Sequence, residues 1–320
     1  MNAPGTLYSL QLLRFIAALL VLLFHLELYQ SGYKGVDIFF VISGYVMYYT
    51  SYIQKPKSAG SFLINRLTKI FLLYWMALFL LFIFTPFTIN PAFLNTIFLI
   101  PGHTSILGVS WSLSYELYFY LLFGTAFYLL PKRYGTFLFV FLLISSTGIA
   151  IINTTSLSIK GSTWNFLAGQ NLWEFLLGIS GACIAYRLRP SLKPLMLISA
   201  LLLSSILFAA INISYANPKS YLIYGTLSFL MILTFTRLEN QIPFGGTPAK
   251  WMALAGDASY AIYLFGPLIT KAVLPETLDT KILVIGITVI VSVMINTILE
   301  KPILRFCRDR LHGLLQPADG

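Results

Sequence analysis

Charge is what this sequence has least of. Only 10% of its 320 residues are charged and 58% are hydrophobic, against roughly 25% charged in an ordinary globular chain. A water-soluble protein is excluded. Cysteine is nearly absent: Cys183 and Cys307 lie in or beside apolar stretches with no Cys-x-x-Cys spacing, which argues against a disulfide framework and a zinc site. Histidine is scarce too: only His25, His103 and His312 are present, and the last two are expected on opposite sides of a membrane, which argues against a metal cluster. Although the formal charge is +10, no long basic run exists, so the excess reads as membrane topology and not as a nucleic-acid surface. No basic residue precedes the first apolar segment, and Arg14 and His25 interrupt it. A removable signal peptide is therefore not expected, and the segment reads as a retained helix.

What the chain has instead is long apolar runs. A hydrocarbon core ~30 Å thick needs about 20 mainly apolar residues per helix. Runs bounded by Pro, Gly and charge predict spans near 8–29, 34–53, 67–86, 112–130, 136–153, 166–186, 194–213, 219–237, 256–274 and 281–299. The runs are continuously apolar, whereas a membrane barrel alternates over ~10 residues. The expected fold is an all-α polytopic membrane protein of about ten transmembrane helices, a single domain over 1–320 with no appended soluble domain. Lys and Arg concentrate in one set of loops, for example Lys55, Lys57, Lys132, Arg133, Arg187, Arg189, Lys193, Lys301 and Arg305, whereas the opposite set holds only Lys34, Lys160, Lys219, Lys271 and Lys281. Cytoplasmic loops carry such an excess, which with an even span count predicts both termini in the cytoplasm.

Ionisable residues inside spans cost at least ~2.5–3.5 kcal/mol each and are functional candidates unless they snorkel or pair. Arg14 and His25 share one face of the first helix within ~20°, about 16 Å apart along its axis. Arg14 is expected in the cytoplasmic half and His25 near the outer end. Asp37 opens the second span, and Ser112, Glu116 and Tyr120 share a face of the fourth by i+4 spacing. His25, Asp37 and Glu116 are thus expected from three helices at a similar outer depth, where a carboxylate-paired histidine can act as general base. Asp37 in a first helical turn also complements the helix dipole, so a structural use is equally open. Arg66 and Lys69, read as the start of the third span, either anchor the inner face or join Arg14 in holding a phosphate-bearing ligand. Intramembrane charges of this kind equally serve a proton-coupled transporter or flippase for a lipid-linked or acylated molecule.

Three motifs narrow the choice. Arg-x-x-Ala-x-x-x-Val-x-x-x-His from Arg14 to His25, Gly-x-x-Gly-Val-Asp-x-Phe-Phe-Val-Ile-Ser-Gly from Gly32 to Gly44, and Trp-Ser-Leu-Ser-x-Glu from Trp111 to Glu116 resemble the acyltransferase 3 family of integral membrane acyltransferases. Arg66 to Trp75, Phe175 with Gly178, Ser259-Tyr260-x-x-Tyr263-Leu264 and Glu300-x-Pro302 extend the likeness over nearly the whole chain. The resemblance implies transfer of an acyl group, usually acetyl, from cytoplasmic acyl-CoA to a carbohydrate hydroxyl. It implies an enzyme of the cytoplasmic (inner) membrane with acetyl-CoA as co-substrate, a carbohydrate or glycolipid acceptor and no bound cofactor. On that reading His25 is the base, oriented by Glu116 or Asp37; Arg14, Arg66 and Lys69 hold the donor; and Trp111, Ser112, Ser114 and Tyr115 belong to the acceptor side. Three departures stand out: Gly266 occupies a position where the family often has histidine, Lys69 one where arginine is common and Leu72 one where proline is common. The missing histidine leaves room for a relative that has lost activity.

Overall fold

A computed structural model describes residues 6–53, 59–84, 91–100, 106–125, 171–188, 192–214, 217, 219–241 and 245–307. Ten α-helices make up these residues, with no strand among them: α1 Tyr8–His25, α2 Gly35–Tyr48, α3 Ala59–Phe84, α4 Pro91–Ile97, α5 Ser110–Gly124, α6 Asn171–Cys183, α7 Pro194–Ala210, α8 Lys219–Gln241, α9 Gly246–Val273 and α10 Leu278–Met294. π-helical turns at Tyr49–Ile53, Ile184–Leu188 and Ile295–Glu300 prolong α2, α6 and α10. Among the described residues, five helices are long and apolar enough to cross a membrane: Tyr8–His25, Gly60–Ile83, Ser220–Gln241, Gly246–Val273 and Leu278–Cys307. The expected span at 136–153 lies outside the described residues, as do His103 and His312.

Two boundaries differ from the sequence reading. α3 begins at Ala59, eight residues before the expected start, so Arg66 and Lys69 sit well inside a helix and not at its mouth. α9 begins at Gly246, ten residues before the expected start, so Lys250, read as a loop charge, lies within the helix. Polar side chains do not break a helix when partners exist: Asp257 bonds Lys301 at 2.8 Å and accepts from Gln11 at 3.0 Å. The stretch read as an outer loop contains α4, whose terminal carbonyls at Thr96 and Ile97 accept from Tyr74 and Trp75 of α3. Such bonds satisfy groups that every helix end leaves open.

Lipid tails are as apolar as leucine side chains, so helices in a membrane associate through close packing and polar contacts. The seam between α2 and α6 shows this directly. A Cβ added at Gly44 would lie 2.0 Å from the carbonyl oxygen of Phe175, and one at Gly178 would lie 2.0 Å from that of Val41. The two backbones touch there because neither position carries a side chain. α1 packs along α9, and its start is fixed from α8: the Glu239 carboxylate accepts from the Tyr8 and Ser9 amides at 2.8 and 3.0 Å and from the Ser9 hydroxyl. A negative charge on a helix N-terminus is favourable, and α1 has no side-chain cap of its own. Phe79, Leu195, Ile206 and Ile290 point outward from α3, α7 and α10, forming the apolar exterior that a bilayer requires.

Candidate active site

Two adjoining cavities run along α1. The first is lined by Arg14 of α1, Phe39, Ile42, Ser43, Val46 and Met47 of α2 and its continuation, Arg66 and Lys69 of α3, Ser112, Glu116 and Tyr120 of α5, and Tyr260 and Tyr263 of α9. It is narrow, with about 60 Å3 of free space. Three cations and one carboxylate face it, an excess of two positive charges. The second, of about 700 Å3, is lined by His25, Val21 and Phe24 of α1, Tyr33, Val109, Trp111 and Asn212. Val36 and Tyr263 line both. The partition is hydrogen-bonded: the Tyr263 and Ser112 hydroxyls lie 2.6 Å apart and 3.0 and 3.1 Å from the Val109 carbonyl, so that one hydroxyl donates to the other and the second donates to that carbonyl.

Arg14 and His25 thus open onto different cavities from the same helix face, about 16 Å apart along the axis. In the arginine cavity, Arg14 Nε donates to the Ser259 hydroxyl at 3.4 Å. Arg66 donates to Thr50 Oγ1 at 3.4 Å and lies over the Phe62 and Tyr120 rings. Lys69 is near enough to Arg14, Arg66, Glu300 and Asp257 for their charges to act on it. Glu116 accepts from Ser43 at 3.0 Å and, at very short range, from Tyr120. Around the histidine cavity, Trp111 makes edge contacts with Phe40 and Tyr115. Ser114, although buried, lines neither cavity.

This arrangement corrects the expected triad. Glu116 belongs to the arginine cavity and Asp37 to neither, and among the described residues no carboxylate partners His25. The charged group facing His25 is Lys271, and its ring packs edge-on against Phe24 at 5.5 Å. Asp37 is 2% exposed and points toward Glu174 of α6. The three side chains differ in direction around their helix axes. On α2, Asp37 lies about 20° from Gly44, on the face packed against α6, whereas Phe39, Ser43 and Val46 form the face turned to the cavity. Lys34, counted as an outer-loop charge, is fully buried, with its Nζ on the carbonyls of Phe208 and Ile211 and over the Tyr224 ring.

Gly266 lies in the seam between α9 and α1, where a Cβ would come within 3.0 Å of Leu22 Cδ1. It lines neither cavity. Ser43 was not singled out, although it sits in the Gly32 to Gly44 motif. Tyr260 and Tyr263 had a signal, two hydroxyls one helical turn apart in an apolar run.

An all-helical membrane protein with a cationic cavity beside a histidine-bearing one is a multi-pass protein built around a polar interior. The chain belongs to the acyltransferase 3 family: residues 7–300 match its model, described as an acyltransferase domain. It is similar to the exopolysaccharide production protein ExoZ of Rhizobium meliloti (strain 1021), 28% identical over 315 residues that cover 88% of this chain and 92% of that one. No solved structure matches the chain.

Proposed function

We propose that this protein is an O-acyltransferase of the cytoplasmic membrane that moves an acyl group, acetyl in the first instance, from cytoplasmic acyl-CoA to a hydroxyl of a surface polysaccharide or its lipid-linked precursor. The observation that carries the proposal is the pair of adjoining cavities: one cationic and narrow, one wide and bearing a histidine, with Val36 and Tyr263 in the walls of both. A narrow cationic passage suits a chain-like donor that ends in phosphates, with Arg14, Arg66 and Lys69 supplying charge-assisted hydrogen bonds. A cavity of about 700 Å3 falls within the usual ligand range of roughly 300–1,000 Å3, and the Trp111 ring beside it offers a sugar an apolar face. The similarity to an exopolysaccharide production protein, ExoZ, supports a polysaccharide acceptor. The topology proposed with it has ten spans and both termini in the cytoplasm, with the arginine cavity toward the cytoplasm.

In this reading the acyl thioester reaches the partition from the arginine side. His25 takes the proton of the acceptor hydroxyl as that oxygen attacks the thioester carbonyl. Collapse of the tetrahedral intermediate breaks the carbon–sulfur bond, and the departing thiolate recovers the proton from the imidazolium. Neither Cys183 nor Cys307 lines either of these two cavities, so direct transfer is favoured over a cysteine-bound intermediate. Deleting the gene in its host and weighing the surface glycans tests the assignment. Loss of one acetyl mass per modified site is expected, whereas an unchanged glycan profile with an altered lipid or small-molecule profile would favour transport.

A further inference from the structure

The described residues hold a second ionisable cluster, which lies on the opposite side of α2 from the arginine cavity and which acyl transfer does not use. Asp37 and Glu174 are 2% and 0% exposed, and their carboxyl groups are within hydrogen-bonding contact of each other. None of the four buried oxygens receives a well-formed hydrogen bond from a donor group, and the Asn171 side chain lies beside Glu174. Two ionised carboxylates in contact repel and lack the hydrogens that would satisfy them, whereas a single proton gives one a donor and the other an acceptor. The seam makes the contact unavoidable. Gly44 and Gly178 bring the α2 and α6 backbones together, and Asp37 and Glu174 sit on those same two faces. From α8, Gly225 closes the other side, leaving a Cβ only 3.0 Å from Glu174 Cγ.

We propose that Asp37 and Glu174 form a buried proton-binding site, holding one proton between them and thereby locking α2 to α6. The charges around the pair support one proton and not two. Lys34, fully buried one turn before Asp37, contributes a single positive charge, and its Nζ is committed to the Phe208 and Ile211 carbonyls and not to the carboxyls. With one proton the cluster of Lys34, Asp37 and Glu174 is neutral; without it, one negative charge is left uncompensated in the bundle interior, a costly state. The other titratable groups facing it are Tyr33, from the turn that carries Lys34, and Tyr224 of α8. Glu116 of α5 turns to Ser43 and Tyr120 instead. Because α2 also carries Val36, Phe39 and Ser43 of the cavity walls, the bound proton fixes that wall in place. This inference is independent of acyl transfer.

Infrared spectroscopy of the full chain in lipid nanodiscs, at neutral pH and with deuterium exchange, tests it. The parent should show a protonated-carboxyl absorption that disappears in both Asp37→Asn and Glu174→Gln. Thermal unfolding in detergent supplies a second readout. Above the ordinary carboxyl range the unfolded chain has released this proton and the folded chain has not. Stability therefore falls as pH rises, with the unfolding equilibrium growing about tenfold per pH unit relative to Glu174→Gln, whose amide supplies a permanent hydrogen. If Asp37→Asn does not fold, Glu174→Gln decides alone. An unchanged carboxyl absorption with parallel pH curves would overturn the proposal. So would stabilisation of the parent but not of Glu174→Gln by sodium over choline chloride, which would make the site one for a metal cation.

Discussion

Removing Arg14 should weaken donor binding without dismantling the fold. Its contact to Ser259 is long, at 3.4 Å, and Ser259 keeps its 2.6 Å bond to the Gly256 carbonyl, so Arg14→Ala should cost no more than about 1 kcal/mol of stability. Its contribution to an anionic donor is larger. A hydrogen bond between charged groups is worth about 1.5–3 kcal/mol, and each 1.4 kcal/mol is tenfold in affinity, so acetyl-CoA should bind roughly 10- to 150-fold more weakly. Arg66 and Lys69 remain in the same cavity, so binding should weaken and not vanish. Arg14→Lys sharpens the test, because lysine keeps the charge and loses the planar fork. Recovery with lysine means simple attraction; failure means directed hydrogen bonds. Calorimetry in detergent reads the affinity, and ligand-dependent thermal shift gives an independent check. If Arg14→Ala bound acetyl-CoA like the parent and only turnover fell, the donor assignment would be wrong.

Four further outcomes are expected. His25→Ala should lower turnover by roughly 10²- to 10⁴-fold with donor affinity retained, since a general base is worth about that much; near-normal turnover of the purified variant would remove the base from His25. Glu116→Gln, by raising the positive excess of the arginine cavity, should tighten acetyl-CoA binding by no more than about tenfold, whereas a turnover defect at unchanged affinity would return Glu116 to the side of His25. Gly178→Ala must push α2 away from α6 and should cost at least the roughly 1–3 kcal/mol of an overpacked contact, seen as a lowered melting temperature; an unshifted transition would contradict the seam. Cysteines placed at Glu276 and Lys193 should label from opposite faces with an impermeant maleimide, Glu276 from outside, and same-side labelling would refute the proposed topology.

How much of this was legible in the sequence depends on whether a property is local to one helix. The shared face of Arg14 and His25, and of Ser112, Glu116 and Tyr120, follows from 3.6 residues per turn, and in the structure these residues line the two cavities. The partner of Asp37 was not legible, because it depends on which face of α2 packs against α6. A wheel drawn through Gly44 would have turned Asp37 away from Ser43. Glu174 carried its own signal, a carboxylate within an apolar run, yet only its neighbours Phe175 and Gly178 were noted. Glu239 reads as a loop charge at the end of α8, and its use as the cap of α1 arises only from the tertiary fold.

The most direct test of the central claim is transfer itself. Full-length protein, purified in detergent and given labelled acetyl-CoA with the host's surface glycan, should bind the donor saturably and place label on the glycan as a base-labile ester, and His25→Ala should bind but not transfer. Protein that neither binds acetyl-CoA nor acylates glycan or water would contradict the account and favour transport.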